Sequence, residues 1–161
     1  MNALVVQNLR DKLQKLISRF NPADEEDTFY FKLAQFWRFF DRQPTFVGIA
    51  EALLAQVHGI DDHVDRIFNK YEFVWGETEE QAAAIGYAAL RRLAGLGPEA
   101  VHKLSFPVGA VLHRDAIPGI LEQFLEPFCD YVDEQLDDQR IMLTLLMRYK
   151  HRSEWFYRDH P

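Results

Sequence analysis

His58, Asp61, Asp62 and His63 fall within six consecutive residues. Imidazole nitrogen and carboxylate oxygen together suit zinc, iron or manganese, so His58 and His63 are the candidate metal ligands. The set is incomplete: the spacing straddles Gly59, Asp61 stands where a helix needs a cap, and no third histidine follows at a ligand spacing. His102 and His113 lie in a stretch poor in helical pattern, and only the fold could bring them to this cluster. A second acidic set, Glu122, Glu126, Asp130 and Asp133, is separated by four, four and three residues and shares one helical face. Carboxylate di-metal bundles also need Glu-x-x-His motifs and acids from other helices, and this stretch holds no histidine. Neither set implies a bound metal or cofactor.

Nucleophile and nucleotide motifs are missing from the sequence: no GxSxG, no glycine-rich phosphate loop, no HExxH, no GxGxxG on a strand–helix turn. Cys129, the single cysteine, stands among Phe128, Asp130 and Tyr131, where acids and apolar neighbours raise a thiol's pKa. It reads as a core residue, and no catalytic residue is assigned. The stretch Arg148-Tyr149-Lys150-His151-Arg152-Ser153-Glu154-Trp155-Phe156-Tyr157-Arg158 interleaves basic groups with aromatics. Such a pattern can hold phosphates and stack bases, which makes Arg148, Lys150, Arg152 and Trp155 candidate nucleic-acid contacts. Residues 148–160 carry four Lys/Arg against two acids, a thin footprint for nucleic acid. The same pattern suits a helix end with cations near the carboxy-terminal dipole and aromatics packed inward.

Helices must position all of these groups, because helical spacing recurs throughout and no convincing strand alternation appears. The first helix is expected from Ala3 to Phe20, with Leu9, Leu13, Leu16, Ile17 and Phe20 inward and Arg10, Lys12, Lys15 and Arg19 largely off that stripe. Asn21-Pro22 reads as the cap and first residue of a second helix carrying Phe29, Leu33, Phe36, Trp37 and Phe40, ending before Pro44. Phe46, Ile49, Leu53 and Val57 mark a third. Asp61 would cap a fourth, with Ile60 and Val64 as a hydrophobic staple ahead of Ile67, Phe68 and Tyr71. Thr78-Glu79-Glu80-Gln81 is a capping box opening an alanine-rich helix through Leu93, whose small residues admit a close neighbour. Residues 98–118 hold room only for short turns around Val101–Leu104 and Val108–Leu112. Asp115 and Pro118 start another helix, Pro127 would kink or end it, and residues 128–158 could form one helix of about 45 Å. The expected fold is all-α, a single compact bundle over residues 1–161 with seven or eight helices and a long C-terminal one. Phe29, Phe36, Trp37, Phe40, Leu53, Ile67, Leu90 and Leu93 are expected in one core.

With 48% hydrophobic and 27% charged residues, disorder is excluded. The longest apolar run, Ala82–Leu90, is far short of the roughly 18–20 residues that span a bilayer, and no signal peptide is apparent. No membrane association and a cytoplasmic location are expected. Eighteen basic against 25 acidic residues give −7, against a chain that simply coats nucleic acid. Glu122 to Asp138 holds seven acids and no Lys or Arg, so this segment alone accounts for −7.

Glu126-Pro127-Phe128-Cys129-Asp130-Tyr131-Val132-Asp133-Glu134-Gln135-Leu136-Asp137-Asp138 and the Arg148–Phe156 stretch, with Thr28-Phe29-Tyr30 and Phe36-Trp37-Arg38, carry a resemblance. The sequence here resembles a helical region that, in some bacterial proteins, stands ahead of a restriction-endonuclease-like nuclease domain of the PD-(D/E)xK type. The likeness covers mainly the last forty residues. No Asp…(Asp/Glu)-x-Lys on strands is present, so the resemblance implies the non-catalytic half alone, and no catalytic residue carries over.

The leading expectation is therefore a non-catalytic binding or assembly module, regulatory or target-sensing in a bacterial nuclease-linked defence or restriction function. Its interface would be an apolar stripe of the last helix (Val132, Leu136, Leu143 and Leu146) that its own domain leaves partly uncovered. The partner would be a second copy or a following nuclease domain. In a homodimer, the acidic half (Asp130 to Asp138) of each last helix would lie antiparallel on the other's basic half (Arg148 to Arg158). Two competing expectations are a small metal-dependent hydrolase using His58, His63 and His113, and a nucleic-acid-binding protein using the basic-aromatic end.

Overall fold

The computed structural model describes residues 1–72, 74–105, 107–108 and 116–159, the last five of these as backbone only. Among them there is no strand. In chain order the helices are α1 (Ala3–Ile17), α2 (Glu26–Phe40), α3 (Pro44–Gln56), α4 (Ile60–Asn69), α5 (Glu79–Leu96), the single turn α6 (Ala100–Lys103), α7 (Ala116–Ile120) and α8 (Glu126–Asp159). A π-helical turn, Leu121–Leu125, joins α7 to α8 without a break. The fold is thus the all-α bundle with a long final helix that the periodicity implies.

Aromatic packing forms the centre. Phe36, Trp37 and Phe40 on α2 pack against one another with ring centroids 5.0–5.9 Å apart. Phe128 of α8 meets Phe40 at 5.5 Å and Tyr87 of α5 at 5.1 Å. All eight residues expected in the core belong to one contiguous buried cluster. Arg91 of α5 lies 3.8 Å from the Trp37 ring centroid while its guanidinium pairs with Asp41, closing the α2–α5 seam from outside.

Several boundaries follow the sequence closely. The Thr78 hydroxyl accepts the Gln81 amide at 3.1 Å, and the Gln81 side chain accepts the Glu77 amide at 2.6 Å, one residue before the position a standard capping box would use. Ile60 and Val64 are both buried. Elsewhere local side-chain chemistry moves a boundary. The Asn21 side chain accepts the Ala23 amide at 2.9 Å, and Asp24 accepts the Asn21 amide at 3.0 Å. This Asx-type turn competes with the helix and delays α2 until Glu26, so Asn21-Pro22 is a connector and not a helix start. α1 ends at Ile17 instead of Phe20, because the Arg19 and Phe20 amides bond three residues back, to Leu16 and Ile17, and tighten the last turn. Gly59, with φ +74°, turns the chain so that α4 begins at Ile60; Asp61 sits in its first turn and is not the cap.

Pro127 does not end the last helix. In the π turn just before it, the Glu126 amide bonds the Leu121 carbonyl five residues back. The widened turn takes up the clash that a proline ring makes with the carbonyl four residues earlier. The turn expected at Val101–Leu104 is α6. Apart from Val108, the turn expected over 108–112 lies outside the described residues, as does Asp115.

The close approach expected of the alanine-rich helix is real and falls at Gly86, where a Cβ would collide with the backbone carbonyl of Phe124 in the π turn. Gly48, in α3, has open space around its missing Cβ. Gly86→Ala should therefore cost about 1–3 kcal/mol by overpacking. Gly48→Ala should raise stability by about 0.5–1 kcal/mol through helix propensity. Urea denaturation of the two variants checks both signs.

Candidate functional site

α8 has two different halves. Phe128, Cys129, Val132 and Leu136 are buried in the core. The Cys129 thiol is pushed far up by burial and then by Asp130, so it is an inert core group. α1, α3 and α5 all pack on this half.

The α1–α8 seam is held by charge as well as packing. Arg10 donates to both carboxylate oxygens of Asp133 at 3.0 and 2.8 Å, and to Asp137 at 2.6 Å. Arg140 closes on Asp137 from the other side at 2.9 Å. The two helices run antiparallel: Arg10 meets Asp133 and Asp137, while Gln14 and Ile17 line one cavity with Glu126, Cys129 and Asp130. Continuing that progression, the first turn of α1 reaches only as far as about residue 144. Among the described side chains, Leu143 is the last apolar one of α8 to pack on the core.

Beyond it residues 145–152 and Glu154 are all exposed. Leu145, Leu146, Met147 and Tyr149 are 56%, 58%, 53% and 76% exposed, and Arg148, Lys150, His151 and Arg152 are exposed among them. A bare helix of this length is marginal in water without something packed on it, and this concentration of exposed apolar side chains is unusual for an isolated domain.

The interface stripe expected from the sequence needs correction. Val132 and Leu136 are fully buried in their own domain and Leu143 packs on it, so of the four only Leu146 is open to a partner. The stripe Val132–Leu136–Leu143 is the core face of the helix. The open face lies two residues round, about 200° away at 100° per residue. It reads Glu134, Asp138, Ile141, Leu145, Arg148 and Arg152, alternating by four and three residues, and all six are exposed. The 4-3 alternation that would have revealed it is plain in the sequence, but its first and last members are charged and a search for apolar residues passes over it.

The other sequence candidates are placed apart. The His63 ring nitrogen Nδ1 lies 2.6 Å from the Gly59 carbonyl, and so serves the α4 start. His58 is exposed on a neighbouring cavity with Asp61 and Arg91. His102 lies on α6, its Nδ1 3.6 Å from Glu26 on α2. Among the described residues no three His, Cys, Asp or Glu side chains converge as a metal site. His113 lies outside the described residues, as do the side chains of Trp155 and its neighbours to Asp159. Of the last helix's acids, Asp133 serves Arg10, whereas Glu122, Glu126 and Asp130 line the cavity beside α1.

A second feature has no counterpart among the sequence candidates. Lys12 and Lys15 of α1, and Arg19 in the turn after it, face Arg38 of α2 and Arg42 in the turn after it across a cleft of about 360 Å3, with Gln35 and the part-buried Leu16 and Phe39. No described residue pairs with any of the five basic side chains. The signal was a three-then-four spacing running past the end of α1 and a four-residue spacing running past the end of α2, visible only once the two helix ends are known to be neighbours.

No described helix is long and apolar enough to cross a membrane. No protein-family model matches the chain, and comparison with curated proteins and with solved structures found no significant match.

Arg10 holds the Asp133 carboxylate below its usual 3.8, first through the hydrogen bond and then through charge, against a desolvation cost. A carboxyl whose folded pKa is depressed adds stability above its unfolded pKa and loses it as pH falls through the folded value. Asp133→Asn should therefore cost on the order of 1–2 kcal/mol at pH 7, as a part-exposed bidentate pair. Urea titrations should show that difference shrinking as the pH drops below 3.8.

Proposed function

We propose that this chain is a non-catalytic assembly module whose last helix pairs antiparallel with the last helix of a second copy. The observation that carries this reading is the order of charges on the exposed stripe: acid, acid, apolar, apolar, base, base. Reversed about residue 143, the stripe is its own complement. Glu134 falls opposite Arg152, Asp138 opposite Arg148, and Ile141 opposite Leu145, each pairing occurring twice, as a two-fold interface requires. The 4-3 alternation is that of a two-helix seam. Met142, Leu146 and Tyr149 flank it and are all exposed. Solvent-exposed ion pairs contribute about 0–1 kcal/mol each, so the apolar layers supply most of the affinity and the charges select orientation.

In a nuclease-linked bacterial defence or restriction function of the kind the resemblance implies, such pairing would hold two partner nuclease domains together. The exposure of Arg148, Lys150 and Arg152 supports a second reading, in which this end contacts nucleic acid. Sedimentation equilibrium separates the two. Wild type should dimerise with a micromolar Kd, and Leu145→Asp should be monomeric with an unchanged thermal transition. Asp138→Lys sets like charges in two layers and should weaken dimerisation about tenfold, one decade being about 1.4 kcal/mol, and Arg148→Glu added to it should restore the wild-type affinity. A monomer at every concentration, together with salt-dependent oligonucleotide binding lost on mutating Arg148 and Arg152, would replace the assembly reading with the nucleic-acid one.

A further inference from the structure

We infer that the basic cleft between α1 and α2 is a binding site for a compact ligand that carries a chain of phosphates, from a nucleoside triphosphate or from inorganic triphosphate. Five cations face one small volume, and among the described residues no acid pairs with any of them. Within the bundle the part-buried arginines are paired: Arg10 with Asp133, Arg66 with Glu72, Arg91 with Asp41, Arg92 with Asp65, and Arg140 with Asp137. Like charges gathered without counter-charges repel, and a multiply charged anion is what relieves them.

The rest of the molecule limits what that anion can be. The chain carries −7, so with +5 in the cleft the remainder carries −7 − 5 = −12. A long nucleic acid or a flat anionic membrane would have to lie across that negative surface, whereas a compact anion meets only the focused positive field of the cleft. The cleft volume, about 360 Å3, lies at the small end of the roughly 300–1,000 Å3 range of small-molecule sites. Arg19, Arg38 and Arg42 offer planar forks that fit phosphate oxygens bidentately, and Lys12 and Lys15 add point charges. Phe39 offers an apolar surface at the same cleft, its ring edge-on to Phe46 at 5.8 Å.

Calorimetric titration of the full chain without magnesium tests this with ATP, inorganic triphosphate, AMP and a single strand of about 20 nucleotides. ATP and triphosphate should bind with micromolar Kd and AMP about tenfold or more weaker, since affinity follows the number of phosphate charges. Equal binding of ATP and triphosphate would assign the site to the phosphate chain alone; tighter ATP binding would add a base contact at Phe39. Lys15→Glu with Arg38→Glu should weaken ATP binding by about thirtyfold or more at an unchanged melting temperature. Arg148→Ala with Arg152→Ala, and the monomeric Leu145→Asp, should leave it unchanged. No binding of ATP or triphosphate at millimolar concentration overturns the proposal. So does binding that survives the cleft substitutions, or an oligonucleotide that binds the cleft more tightly than ATP.

Discussion

A length mismatch governs this molecule. α8 has 34 residues, about 51 Å at 1.5 Å per residue, while α1, antiparallel to it, has 15 and spans about 22 Å. The register of the seam is set by Arg10, whose fork grips Asp133 and reaches Asp137. From that anchor α1 can cover α8 only to about residue 144, and α3 and α5 add cover to the same half. Beyond it residues 145–152 have no cover from the bundle. The π turn ahead of Pro127 and the close contact at Gly86 keep the rod continuous, so its inner half is fixed in direction and its outer half is carried clear of the bundle.

Charge follows the same division. Of the acids packed into Glu122–Asp138, Asp133 and Asp137 are spent within the domain on Arg10 and Arg140. Glu134 and Asp138 stay exposed on the face that continues through Ile141 and Leu145 to Arg148 and Arg152. The segment that looks uniformly acidic in the sequence thus divides into structural acids facing α1 and acids facing outward. The basic residues divide likewise, into arginines paired within the bundle, the five at the cleft between α1 and α2, and Arg148, Lys150 and Arg152 on the exposed end of α8.

Much of the fold was legible because it rests on local rules: the Thr78 cap and the period-3.6 stripe of Phe29, Leu33, Phe36 and Phe40. Asn21 and Asp24 defeated the same rules because each can bond a nearby amide as well as a helix can. Pro127 did so because its effect depends on the turn before it. The candidate surfaces were less legible, since exposure is a tertiary property. Val132 and Leu136 satisfy every sequence criterion for an apolar interface, and the domain's own core takes them. The basic cleft needs two helices side by side, which no single helical pattern reveals.

The distance between the two copies of one outer-helix position tests the antiparallel seam most directly. Cys129 is the only cysteine and is buried, so a cysteine placed at the exposed His151 takes a single spin label. Reversal about residue 143 sets the two labels about 16 residues apart along the seam, about 24 Å of axial rise. Dipolar spectroscopy of labelled His151→Cys should therefore give one distance near 25–30 Å, allowing about 10 Å between the helix axes. A single distance near 10 Å would mean a parallel pair, and no dipolar coupling at concentrations well above micromolar would mean no pair at all. Either result contradicts the account.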